Sequence, residues 1–507
     1  MDHLAMDNKN SFSRRQFVAG AAAAAGGAFL GRTGRAESPQ SAPMNIEMLK
    51  RACQGEVSAR GEPGFEEQVS GGLWNRLVPN RAPQIAVCVA DEQDVIAAIR
   101  FARENKLKVV VRGGGHNWCQ PSLRNGGLLI DLKNLDKVIS IDVTARKAVV
   151  QPIISNREIQ RVLNAKGLAF PSGHCPQVKL SGYLLGGGMS WNQGVWGYGN
   201  ESVEAVELVT AEGKLITANE SDNADYFWAA RGAGYGFFGV ATRYHLKLYQ
   251  LPKAIHAISY YYSLNEATTV AGWLGEIASK LSPSIELSFF LLTAPPELKD
   301  EAARDGGKVC LVSVTVFADS AEDAKAALKP LDGCPALGKC LRRTSAESVV
   351  FDQLFDASGA LWPEGMRSCV KAIFSNSNPG ELVQAVCRHM TRAPSQTTLV
   401  LFAIFTGPNV PAPLPNAALS LSARVYGGPW TMWQNATDDE SNTAWHQECA
   451  ALMKPHIAGY YIGETDPVAF PSEATGAFSP ESWKRLADLR DKYDPNGIFF
   501  GFFDGLA

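Results

Sequence analysis

Two segments of this chain put a nucleophilic side chain at the end of a run that can approach a ligand closely. Arg112-Gly113-Gly114-Gly115-His116 follows the strand-like Leu107 to Arg112, and Gly173-His174-Cys175-Pro176-Gln177-Val178 precedes Gly182 and Gly186-Gly187-Gly188. Glycines lack a Cβ, so backbone N–H groups in such turns can point at a pyrophosphate without obstruction. The pair therefore suits a large phosphate-bearing cofactor, with the His116 imidazole and the Cys175 thiol beside it. A metal reading would need His174 with Cys175, or His116 with Cys119. No second Cys/His pair at zinc-like spacing accompanies either, and consecutive side chains on an extended segment point to opposite faces. No metal site is expected.

A second set could move protons. Tyr426 opens Tyr426-Gly427-Gly428-Pro429-Trp430-Thr431-Met432-Trp433, and Tyr461 and Glu464 lie in Gly459-Tyr460-Tyr461-Ile462-Gly463-Glu464-Thr465-Asp466. Removing hydride from an alcohol carbon requires a base for the O–H proton. A tyrosine, ordinarily titrating near about 10, needs help to serve at neutral pH, whereas a carboxylate does not. Tyr461 and Glu464 are thus alternative bases. Trp430 or Trp433 could stack on a ring.

Taken together, the GGGH and HCPQV segments, the Val206 to Lys214 hairpin, Asp225 to Val240 and Lys492 to Phe500 with Asn496 resemble the berberine bridge enzyme-like branch of the vanillyl-alcohol oxidase superfamily, which has a PCMH-type FAD-binding domain. The resemblance spans about Pro79 to Gly501. It implies FAD bonded covalently through His116 and Cys175, with Arg112, Gly113, Gly114, Gly115, Gly173, Val178, Gly182, Gly186, Gly187, Gly188, Val240 and Asn496 around it. It also implies an oxidase that passes hydride from a substrate alcohol, a carbohydrate or secondary metabolite, to the flavin, with Tyr461 at the position of the family's common base and Tyr426 facing the substrate. Val178 matches a position associated with oxygen access, so O2 is the expected acceptor and H2O2 the product. Lys179 and Ser181 depart from the family's usual glycines, Glu201-Ser202 from its Asp-Asn, and Gly463 and Glu464 from an Asn and a Tyr. Alternatives are oxidation at carbon next to nitrogen, oxidative cyclisation of an alkaloid or phenolic substrate, a dehydrogenase with another acceptor, or a silent flavin-binding protein.

The elements that must position these residues are also legible. Asp91 can cap a helix to Asn105, with Val95, Ile96, Ile99 and Ala102 on one face, and Ser155 with Glu158 forms a capping box for a helix to Lys166. Strands are expected at Leu128 to Leu132, Lys137 to Ile141 and Lys147 to Gln151. From Leu251 longer strands predominate, at Ser284 to Thr293, Lys308 to Ala318 and Thr398 to Phe405, with helices at Ala321 to Leu328 and Pro480 to Asp491. The expected fold is α+β: a bipartite PCMH-type FAD-binding module plus an antiparallel-sheet substrate domain backed by helices. By number, 1–36 is a signal, 37–78 an N-terminal segment, 79–250 the FAD-binding domain, 251–455 the substrate domain and 456–507 a C-terminal segment returning to the FAD module.

Ser13-Arg14-Arg15-Gln16-Phe17-Val18 reads as a twin-arginine export motif, followed by a weakly apolar run and a small-residue site at Gly34-Arg35-Ala36. The run is too short and too rich in Ala and Gly for a stable membrane anchor. The twin-arginine machinery is thus an expected partner, and the bacterial periplasm or exterior the expected destination. The signal carries five Lys/Arg and two Asp, so the formal charge of -3 becomes -6 without it, which argues against nucleic acid as a partner. Ten cysteines in 507 residues are too few for a disulfide scaffold, although Cys334 and Cys340 could pair in an oxidising compartment.

Overall fold

The computed structural model describes residues 45–410 and 412–506. The export motif lies outside the described residues.

Three sheets organise the chain. The first has the order Glu56–Ala59, Ile85–Cys88, Leu128–Asp131, Val109–Arg112, and its last three strands are parallel. These strands are almost wholly apolar because helices and loops cover both faces. Its edge strand, Glu56–Ala59, comes from before Pro79. The helix Glu92–Glu104 packs beside it, with the Asp91 side chain accepting from the Gln93 and Asp94 N–H groups. After that helix Lys106 takes φ 55°, which delays the next strand from Leu107 to Val109. The second sheet is antiparallel, ordered Val138–Asp142, Lys147–Val150, Gly239–Lys247, Val203–Thr210, Leu215–Ala218. The helix Asn156–Asn164 carries the Ser155 and Glu158 capping box.

The third sheet is antiparallel and has ten strands among the described residues, including Ala254–Ser263, Ile285–Thr293, Lys308–Ala318, Leu399–Ile404 and Val425–Trp433. Its residues alternate between two surfaces. Ile258, Leu287, Phe289, Val312, Val314 and Phe402 point into a core made with the helices Leu264–Ile277, Ala321–Leu328, Pro379–Met390 and Asp439–Met453. The residues between them, among them Ser259, Ser288, Phe290, Ser313 and Ala403, face a cavity on the other side. The fold is α+β.

The chain then returns to the first sheet. Gly459–Tyr460 still pairs with Ile373–Ser375 of the third sheet, but Phe499 bridges to Val109, and Asp494 accepts the N–H groups of Ile498 (2.7 Å) and Phe499 (2.8 Å). The helix Pro480–Tyr493 docks through Asp225, which meets Arg485, Lys492 and Tyr493. Cys334 and Cys340, which could have paired, are free thiols: Cys334 meets the Tyr262 hydroxyl, and the Cys340 thiol turns to the carbonyls of Tyr261 and Arg342. No helix among the described residues is long and apolar enough to cross a membrane.

Candidate active site

A cavity of about 540 Å³ lies between the first two sheets and the open face of the third. The strand Val109–Arg112 delivers Gly113, Gly114, Gly115 and His116 to one wall. Arg112 itself is turned away: its buried guanidinium binds Asp131 at 2.6 Å and the carbonyls of Gln68 and Val69, so only its strand-end position serves the cavity. The glycines are required by protein contacts as well as by any ligand. Gly115 has φ +63° and a Cβ there would lie 2.0 Å from the Gly72 carbonyl oxygen, while one on Gly113 would lie 1.7 Å from Ser181 Oγ. His116 packs against Trp74, ring centroids 4.9 Å apart, and burial lowers its pKa to about 4, leaving a neutral imidazole with a free lone pair.

Cys175 lines the same cavity, as do Gly173, Val178 and Gly182. Burial, with Glu464 nearby, raises its pKa to about 12, so it rests as a thiol. His174 also faces the cavity, its Nε2 3.0 Å from Glu286 Oε2. The expectation that it would face away from Cys175 is corrected: the segment bends at both residues, so strand alternation does not apply. Gly186, Gly187, Gly188, Val240 and Asn496 are not on the cavity wall. The Gly188 N–H donates to Tyr461 Oη at 2.9 Å, and Gly186 and Gly187 leave room for that ring. Val240 is buried in the core between Gly239 and Ala241, which do line the cavity. Asn496 is exposed in the turn before Ile498.

At the other end stand Tyr426, Tyr461 and Glu464. Tyr461 precedes the short turn Ile462–Glu464, and its ring meets that of Tyr426 edge-on at 6.0 Å. Burial pushes the Tyr461 phenol well up, although the Gly188 N–H opposes this. Tyr426 Oη donates to Glu464 Oε2. Burial raises the Glu464 carboxyl to about 7, the Tyr426 hydroxyl and His174 restraining the rise. The turn is tied to the glycine loop because Asn117 Nδ2 donates to the Gly463 carbonyl at 2.7 Å and Cys119 Sγ to that of Thr465 at 3.1 Å. Trp430 shares the cavity face with Tyr426, but Trp433, an odd number of residues along the strand, is buried on the other face and donates to Asp439 at 2.6 Å.

The sequence pattern did not single out Asn117, Asn156, Glu286 or Ser358. Asn117 lies one residue beyond His116, a signal that was present; the other three come from distant segments.

The donor set fits a dinucleotide. A Cβ on Gly182 would stand free in the cavity with no atom within 4 Å, and Asn156 Oδ1 on the cavity wall is buried without a partner. Among the described residues no group of three His, Cys, Asp or Glu side chains could hold a metal.

Residues 83–219 match the FAD binding domain family, the chain is an FAD-dependent oxidoreductase, and its fold is similar to that of berberine bridge enzyme, with a TM-score of 0.76 at 18% identity, covering 91% of this chain and 98% of the other. It is 29% identical over 442 residues to the FAD-linked oxidoreductase janO of Penicillium janthinellum, covering 87% of this chain and 95% of that one. Among solved structures, 6-hydroxy-D-nicotine oxidase from Arthrobacter nicotinovorans superimposes with a TM-score of 0.76 at 21% identity, covering 89% of this chain and 98% of the other. Xylooligosaccharide oxidase from Myceliophthora thermophila C1 gives 0.75 at 20%, covering 90% and 98%.

Proposed function

We propose that the chain is an exported oxidase with FAD attached through both His116 and Cys175, acting on a hydroxyl of a small, largely apolar secondary metabolite. The observation that carries this reading is the Tyr426 and Glu464 pair in the same cavity as His116 and Cys175. The flavin, when bound, supplies the hydride acceptor and passes the electrons to O2, giving H2O2. The protein does the rest. Glu464, its carboxyl near 7, takes the O–H proton of the substrate, and Tyr426 holds that carboxylate in place. Phe290, Trp362 and Trp430 hold an apolar or aromatic ring against the wall and keep water out. Val178 leaves space for oxygen, and Arg14 with Arg15 directs the folded, loaded chain through the twin-arginine machinery to the periplasm or exterior.

A panel of alcohols, phenols and amines, followed by anaerobic bleaching of the flavin, tests the reaction class. Bleaching by an alcohol and peroxide on admitting air are expected. Bleaching by amines alone would move the reaction to carbon next to nitrogen, and bleaching without peroxide would make the protein a dehydrogenase. Replacing Arg14 and Arg15 by Lys should leave loaded precursor in the cytoplasm, since lysine keeps the charge but not the guanidinium geometry; unchanged export would assign another route.

A further inference from the structure

On the substrate side of the cavity the charged wall residues are two carboxylates, Glu464 and Glu286, and no Lys or Arg from the third sheet, its helices or the C-terminal turn lines it. Glu464 belongs to the proposed proton transfer. Glu286 does not. It stands on the cavity face of Ile285–Thr293, and only its Oε2 is engaged, by His174 Nε2 at 3.0 Å. The imidazole is packed on Trp191, centroids 4.1 Å apart, which fixes its direction. That contact orients the carboxylate and leaves its second oxygen, Oε1, open to the cavity. Directly across the sheet from Glu286 is Thr315, only 6% exposed and on the cavity wall, whose hydroxyl has no hydrogen-bond partner among the described residues. Two residues on is Ser288, also on the wall and likewise without a side-chain partner. An unpartnered hydroxyl on a largely buried residue, opening to the cavity beside a half-engaged carboxylate, suits a donor that carries positive charge.

The geometry points to Glu286, held by His174, as the specificity-determining residue for a substrate bearing an ammonium group. Deepening the oxidase reading, it sets the far anchor of the same substrate whose hydroxyl meets Glu464. Ser288 pairs with Ala403, and Ala403 with Tyr426, so Glu286 lies two strands and two residues from Tyr426. That places their Cα atoms on the order of 12 Å apart at ordinary strand spacings. The ammonium N–H groups would find Glu286 Oε1, Thr315 Oγ1 and Ser288 Oγ, with the hydroxyl end of the molecule at Tyr426 and Glu464. A carboxylate-bearing substrate would be repelled at both ends.

The test is binding of tyramine and of 4-propylphenol, which replaces the ammonium by a methyl group, to the anaerobic holoenzyme, read as quenching of tryptophan fluorescence and perturbation of the flavin absorbance. The parent should hold tyramine at least tenfold more tightly than 4-propylphenol, an advantage that shrinks with added salt. Glu286→Gln should bring the two within about twofold, and Glu286→Asp should keep most of the preference. Glu464→Gln should retain it. Equal binding of the two probes by the parent overturns the assignment, as does an undiminished preference in Glu286→Gln or its loss only in Glu464→Gln. Binding is read without turnover, so a protein that discriminates the probes yet never bleaches would sink the oxidase reading and leave this one standing.

Discussion

Tyr426 Oη donates its hydrogen bond to Glu464 Oε2, joining the strand Val425–Trp433 of the third sheet to the turn by which the chain leaves that sheet. This bond separates the two candidate bases. Tyr461, the alternative, directs its oxygen at the Gly188 N–H and holds its proton more firmly than a free phenol, whereas Glu464 is a carboxyl near neutrality.

Glu464→Gln is therefore expected to slow anaerobic flavin reduction by about 10²-fold or more, the range for loss of a positioned base. Tyr461→Phe should cost less than about tenfold, because its role is to hold Gly188 and the cavity wall. Stopped-flow absorbance decides between them, and the reverse ranking would make Tyr461 the base.

The pH dependence follows from the same group. Burial raises Glu464 to about 7, so below that pH it is protonated and cannot accept a proton. The reduction rate with a neutral alcohol should climb as pH rises through about 7 and then level off. The step should be absent from whatever rate remains in Glu464→Gln. A parent profile flat from pH 5 to 9 would remove the carboxylate from the proton transfer.

Attachment of the cofactor can be read on acid-precipitated protein. His116→Ala or Cys175→Ala alone should keep yellow flavin in the pellet through the other residue, and only the double variant should release it. Complete release from either single variant would show one covalent bond instead of two.

The glycine loop can be probed through its contact with Ser181. A methyl on Gly113 would sit 1.7 Å from Ser181 Oγ, so Gly113→Ala should lower the melting temperature and the flavin content. Adding Ser181→Gly should restore part of both. Equal losses in the single and double variants would mean that the methyl is rejected for another reason.

Much of the scaffold was legible because it depends on neighbours in the chain. The Asp91 cap, the Ser155 and Glu158 box, the long strands after Leu251 and the glycines before His116 are set by local dihedral preference and by alternation. Where local rules met an irregular backbone they misled. His174 was assigned away from Cys175 on the rule for strands, but the segment bends. The glycines 186 to 188 looked like a second ligand cradle, yet they accommodate and hold the Tyr461 ring.

The sequence by itself determined which chemistry was on hand: a glycine-flanked histidine, a cysteine in a turn, two tyrosines and a carboxylate, with a phosphate-binding type of loop between strands. Only the tertiary structure decided which of them meet. Tyr426 and Glu464 are 38 residues apart, and His174 and Glu286 are 112 apart. The first pair is brought together where the chain turns away from the third sheet, the second where the bend at His174 meets the cavity face of that sheet. Such long-range pairings are selected by burial and hydrogen bonding summed over whole faces, so no local window of sequence contains them.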